Sequence, residues 1–324
     1  MVKSESKRDQ NRRRLATIDC ETDPFMFERV PEPFIWGFYD GNFISHRKTE
    51  EFVRFISEQN VLAYAHNGGK FDFHFLLEYA SEGSIKIING RIAQFKIGKA
   101  LFRDSLLILP VPLASMNKSV IDYEMFEVNE RQKHMDEIID YLFDDCRFLF
   151  DEVKKFRDTY GNSLTLPGAA LKFYKNNYNE NIPHSTKEYH QYFQPYYYGG
   201  RVEVFKPGIH NEPLQYIDIN SAYPFAMTHQ HPITTKYSES TTLKDNNIES
   251  SFVHCTCISK GALPFRDEHG GLQFPNDNIL REYFVSGWEL KKGLELNCIS
   301  KLKIIKVNTF RETISFTDYV NHFY

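Results

Sequence analysis

Between residues 135 and 156 the chain carries an apolar stripe at helical spacing with a carboxylate in its middle. At about 100° per residue, Ile138, Leu142, Leu149, Val153 and Phe156 share one face of a helix, and Asp145 falls among them. Asp140, Asp144 and Asp151 fall outside the stripe. Such a helix has to pack on another layer, and an unpaired charge carried into that contact is costly. Asp145 therefore points to a metal or a functional partner, with an Asp held by a nearby Arg or backbone donor as the plain alternative. Tyr141, one turn earlier at the edge of the stripe, places a hydroxyl where it could orient a water.

The layer for that helix is legible upstream. Residues 15–21 read as a strand, and residues 35–39 and 43–45 as a hairpin around Asp40-Gly41-Asn42. A polar helix over 50–59 leads to an apolar strand over 61–65, a glycine loop and an apolar helix over 71–79. Turn signals at Asn89-Gly90 and Gly98-Lys99 add further hairpins. The order β-β-β-α-β-α implies an α/β fold, a sheet flanked by helices. After Tyr160 the composition shifts to Asn, Tyr, His and Pro, and Leu166-Pro167-Gly168 and residues 176–183 read as connection or an irregular helical link. Strand signals resume over 201–205, 214–219, 251–258 and 302–307.

Three further carboxylates join Asp145. In Thr17-Ile18-Asp19-Cys20-Glu21, the period of two sends Asp19 and Glu21 to one face, where a hard cation with oxygen ligands would relieve their repulsion. A solvated strand edge would explain an isolated Asp-x-Glu equally well. Asp72 closes Ala65-His66-Asn67-Gly68-Gly69-Lys70-Phe71-Asp72, at the carboxyl end of a strand where α/β sheets bind ligands. Alone, it reads as a first-turn acid complementing a helix dipole. Taken together, carboxylates on a strand, a helix start and a helix interior suit hydrolysis of a phosphodiester by two divalent ions, Mg²⁺ or Mn²⁺.

This series resembles the exonuclease domain of family B DNA polymerases: Asp19-Cys20-Glu21 first, Asn67 with Phe71-Asp72 second, and Tyr141-x-x-x-Asp145 third. The resemblance implies a ribonuclease-H-like 3′-5′ exonuclease domain. It makes Asp19, Glu21, Asp72 and Asp145 metal ligands, with Tyr141 placing the attacking water. Further elements resemble the protein-primed branch of phages, linear plasmids and organelles. Ser105-Leu106 is similar to its single-stranded DNA element, and Lys118 to its exonuclease-site lysine, while Asn67 and Phe71 would grip the 3′ end. Tyr197-Tyr198-Gly199-Gly200 resembles its Y-x-G-G linker, which implies DNA contacts for Tyr197, Gly199 and Gly200. Asp218-Ile219-Asn220-Ser221-Ala222-Tyr223-Pro224 resembles polymerase motif A, with Asp218 on the polymerase metals, and Ser221 and Tyr223 at the incoming nucleotide.

The expected organisation is a flexible basic N-terminus (1–13), an exonuclease domain (14–160), a linker (161–200), the start of a polymerase palm (201–250) and part of an inserted subdomain (251–324). No later basic helix for a triphosphate and no Tyr-x-Asp-Thr-Asp-type motif follows. The chain by itself is therefore expected to hydrolyse 3′ ends but not to extend primers. The expected partners are DNA and deoxynucleotides, with a terminal priming protein implied by the branch alone. A stand-alone nuclease and a non-catalytic DNA-binding or primer-protein-binding module are the competing readings. A formal charge of −4 excludes a uniformly basic nucleic-acid binder but not a local basic groove. Five scattered cysteines fit a reducing compartment. The absence of a long apolar run fits a protein away from membranes and inside a cell, in the cytoplasm of a phage-infected host or an organelle.

Overall fold

A computed structural model describes residues 13–24, 29–112, 121–179, 181–204, 206–214 and 219–323. The chain divides into two compact units, residues 1–173 and 174–324.

The first unit is built on a seven-stranded mixed sheet in the order β3-β2-β1-β4-β7-β6-β5. Its strands are β1 (Arg14–Thr22), β2 (Pro33–Tyr39), β3 (Phe43–His46), β4 (Val61–Ala65), β5 (Lys86–Ile88), β6 (Arg91–Ile97) and β7 (Ala100–Asp104). β1, β4 and β7 run parallel, β1 and β2 pair antiparallel, and β2–β3, β5–β6 and β6–β7 are antiparallel hairpins turning at the expected positions. Helix α1 (Thr49–Glu58) covers one face through Phe52 and Ile56, with Phe52 stacked on Trp36 at 4.8 Å. Helix α2 (Met135–Tyr160) covers the other and buries Ile138, Leu142, Leu149, Val153 and Phe156, the apolar stripe read from the sequence.

α2 approaches the sheet closely because Gly37 lies beneath it. A Cβ there would stand 2.8 Å from Leu142 Cγ and 3.0 Å from Cys146 Sγ. Thr17 Oγ1 donates a buried hydrogen bond of 2.6 Å to the Cys146 carbonyl, tying β1 to the turn of α2 that carries Asp145.

Helix α3 (Leu166–Asn177) corrects the expected irregular link. Thr165 Oγ1 accepts from the Gly168 amide at 3.2 Å, and Pro167 occupies the first turn, where its missing N–H costs nothing. Leu166-Pro167-Gly168 is thus a helix start. The segment over 71–79 forms a 3-10 helix, Asp72–Tyr79.

The second unit contains α4 (Lys187–Phe193), α5 (Ala222–Met227), β8 (Gln230–Pro232), β9 (Tyr237–Ser240), β10 (Ser251–Ser259), β11 (Phe265–Arg266), β12 (Leu272–Gln273), β13 (Arg281–Ser286), α6 (Gly287–Glu295), β14 (Ile299–Phe310), β15 (Thr313–Ser315) and α7 (Thr317–Phe323). Its main sheet runs β13-β10-β14-β9 over a core of Val253, Cys255, Cys257, Tyr283, Val285, Leu290 and Val307. A capping box of Ser286 and Glu289 starts α6. The strands expected over 251–258 and 302–307 are present, as parts of β10 and β14. The one expected over 201–205 is not: residues 201–204 form no strand, and Arg201 instead lies 4.1 Å over the Phe274 ring and bonds the Gly261 carbonyl. Residues 215–218 of the strand expected over 214–219 lie outside the described residues.

Candidate active site

β1 outruns its parallel neighbour. The pairing with β4 ends at Thr17 and Tyr64, whereas the antiparallel pairing with β2 continues through Asp19 and Glu21. The chain leaving β4 turns through His66 and Asn67 beside this end of β1, left unpaired on the β4 side, and α2 crosses above it. Alternation along β1 then directs Asp19 and Glu21 toward α2, and the α2 stripe directs Asp145 back toward them.

The result is a group of three carboxylates, Asp19, Glu21 and Asp145, whose ligand oxygens lie within 4.8 Å of one another. Glu21 and Asp145 are buried and Asp19 half-buried. Three acids this close repel in water-poor surroundings, and an oxygen-only set of this size fits a hard divalent cation such as Mg²⁺ or Mn²⁺. They line a cavity of about 260 Å³, whose wall also includes Asn67, Phe71, Asp72 and Tyr141. Seven of the residues singled out in the sequence thus meet in one place.

Asp72 belongs to the cavity but stands outside the three-carboxylate group. It accepts a hydrogen bond from the Cys20 thiol at 3.2 Å, and burial raises its carboxyl to about 6. Burial together with the nearby Asp72 and Asp19 pushes the Cys20 thiol well above its ordinary range, so it remains a neutral donor.

The loop over 66–72 is held by residues that sequence reasoning missed. Asn67 adopts a left-handed φ of 61°, and its Oδ1 accepts from Arg91 Nη1 at 2.6 Å. The same Arg91 nitrogen donates to Asp104 Oδ2 at 2.7 Å, and that oxygen also accepts the Gly69 amide at 3.2 Å. A side chain at Gly69 would run into the Ile92 carbonyl. A buried acid closing the apolar strand Ala100–Asp104 was the available signal for this network. His66 and Tyr123 line the cavity as well, and neither was among the expected site residues.

Ser105 sits behind the cavity wall. Its hydroxyl is 3.1 Å from His66 Nδ1 and donates to the Ala65 carbonyl at 3.2 Å. The Leu106 amide donates to Asp104 Oδ1 at 3.0 Å. Lys118 and Asp218 lie outside the described residues. Within the second unit, Tyr197 is exposed and its carbonyl accepts from Arg266 at 2.6 Å. Ser221, at a left-handed φ of 56°, precedes α5, and Tyr223 is exposed with its hydroxyl 3.8 Å from where a Cβ on Gly200 would stand. Among the described residues, nothing lies within 4 Å of where a Cβ on Gly199 would stand.

Residues 117–324 match the family model described as DNA polymerase type B, organellar and viral. The DNA-directed DNA polymerase of Enterobacteria phage PRD1 is 35% identical over 321 residues, covering 96% of this chain and 56% of the relative. A probable DNA polymerase of Agaricus bitorquis is 24% identical, over 83% of this chain and 42% of the relative. The chain thus spans about half the length of these curated relatives. Phi29 DNA polymerase, solved with primer-template DNA and incoming nucleotides, shares the fold with a TM-score of 0.71 at 15% identity, covering 96% of this chain and 63% of that one. This chain belongs to the organellar and viral family of type B DNA polymerases.

Proposed function

We propose that the first unit is a metal-dependent 3′-5′ exonuclease serving proofreading in protein-primed DNA replication. The observation that carries this reading is the convergence of Asp19, Glu21 and Asp145 within 4.8 Å on one cavity. Divalent ions held there would acidify a water and offset charge on the leaving 3′ oxygen. The chain supplies the rest. Tyr141, on the cavity wall one turn before Asp145, orients the attacking water, and Lys118 adds positive charge to the site. Asn67, fixed by Arg91, hydrogen-bonds the terminal nucleotide, and Phe71 packs against its base or sugar. Asp72, neutral at acid pH and held by Cys20, completes the acidic wall on the far side of β1.

Ser105 and Leu106 brace the strand of DNA leading to the site, and Tyr197, Gly199 and Gly200 guide it toward the polymerase half. Asp218, Ser221 and Tyr223 form the opening part of a nucleotide-binding polymerase site. In this reading the exonuclease domain spans 14–160, the link 161–200, the start of the palm 201–250 and an insertion 251–324. Phi29 polymerase has been solved with single-stranded DNA and with primer-template DNA and incoming nucleotides, which supports DNA and deoxynucleotides as partners here. A terminal priming protein follows from the protein-primed reading. Among the described residues no helix is long and apolar enough to cross a membrane, and an intracellular setting, such as an infected host, suits the substrate.

The test is degradation of a 5′-labelled single-stranded oligonucleotide with Mg²⁺ or Mn²⁺, beside a primer-template supplied with nucleotides. A ladder of shortened products is expected from the wild type and not from Asp19→Ala or Asp145→Ala, with no primer extension. A folded wild type that leaves the oligonucleotide intact overturns the nuclease assignment.

A further inference from the structure

A second cavity, of about 460 Å³, opens at the other end of β1, lined by Leu15, Phe150, Lys154, Arg157, Asn162 and Lys172. Leu15 stands four to six residues before Asp19 and Glu21, which at about 3.3 Å per residue separates the two sites by roughly 13–20 Å. Among the described residues, Asp158 is the one acid lining this cavity, against the three cations.

Two independent observations mark it as an anion site. First, Lys154, Arg157 and Lys172 form no ion pair and no side-chain hydrogen bond among the described residues. Their neighbour Lys155, on another side of α2, pairs with Glu152 at 2.6 Å. Arg157 is only partly exposed, and among the described residues no carboxylate pairs with it. Second, Asn162 has a fixed orientation. Its Oδ1 accepts from Arg103 Nη1 at 2.8 Å and from the Tyr64 hydroxyl at 3.4 Å, and because a guanidinium can only donate, oxygen must face it. Asn162 Nδ2 is then a buried donor without an acceptor. The negative end of the α2 dipole and Asp158 oppose an anion, but the cations leave a surplus of two positive charges.

A guanidinium fork, two ammonium groups and an amide donor suit a group with several oxygens and more than one negative charge. We propose that this cavity binds a phosphate group, carried by a single strand of DNA or by a mononucleotide, with Phe150 available to the attached base or sugar. The site is separate from the carboxylate cavity, and its occupancy does not require the nuclease reading.

The test is binding by the full chain in EDTA, where no hydrolysis occurs, with a labelled 12-nucleotide single strand followed by anisotropy and dAMP followed by calorimetry. Asn162→Asp keeps the acceptor for Arg103 and Tyr64 while replacing the free donor by a charge. Arg157→Gln with Lys172→Gln removes two cations, and Lys155→Gln serves as a charge control away from the cavity. The first two variants are expected to weaken binding about tenfold. For the strand, the double variant should also lower the slope of log affinity against log salt by roughly 1.4. Loss for DNA alone assigns the site to the strand, and loss for dAMP as well assigns it to a nucleotide. Unchanged affinity for both ligands, or an equal loss in Lys155→Gln, overturns the proposal.

Discussion

At the scale of single residues, the cavity concentrates negative charge that a bound cation would neutralise. Mn²⁺ at millimolar concentration should raise the melting temperature of the wild type, because a ligand of the folded state stabilises it. Asp145→Asn removes a proposed ligand and a source of repulsion together, so its metal-free form should melt higher than the metal-free wild type, and its response to Mn²⁺ should be largely lost. Differential scanning fluorimetry with and without EDTA checks both. Asp72 adds a pH signature. Its folded pKa of about 6 lies above the roughly 3.9 of an unfolded chain. The stability that neutral Asp72 contributes is therefore complete below about pH 4 and is lost as pH rises through about 6. The melting temperature of metal-free wild type should fall across that window, and Asp72→Asn should flatten the fall. Asp145 was legible because a charge in an apolar stripe has few explanations. The partners of Asn67 and Asp72 were not: Arg91 is 24 residues from Asn67 and Cys20 is 52 from Asp72, and no local pattern links them.

At the scale of elements, the site depends on how closely α2 lies on β1 and β2. Gly37→Ala should push Leu142 and Cys146 outward and cost about 1–3 kcal/mol, as overpacked cores do, measurable by urea denaturation. Because Asp145 adjoins Cys146, the same substitution should also weaken the Mn²⁺ response, whereas an exposed change such as Glu58→Ala at the end of α1 should leave that response alone. The strands and hairpins of the first unit were legible because alternation and Asn-Gly or Asp-Gly turns act locally. α3 was misread because Leu166-Pro167-Gly168 has the composition of a turn, and only the Thr165 cap and the position of Pro167 in the first turn make it a helix. Residues 201–204 have a strand-like composition but form no strand, and Arg201 bonds Glu203 and the Gly261 carbonyl instead.

At the scale of the molecule, the first unit brings Asp19, Glu21 and Asp145 together, and the proposed nuclease centre rests on that convergence. The decisive measurement is single-turnover release of the terminal nucleotide from an oligonucleotide labelled differently at its two ends, across a Mn²⁺ series. Saturable, Mn²⁺-dependent release of the 3′ label first, slowed by at least about a hundredfold in Asp145→Asn, is the expected result. Release that begins at the 5′ end, or that proceeds equally fast in Asp145→Asn, would contradict the assignment of this cavity as a 3′-5′ exonuclease centre.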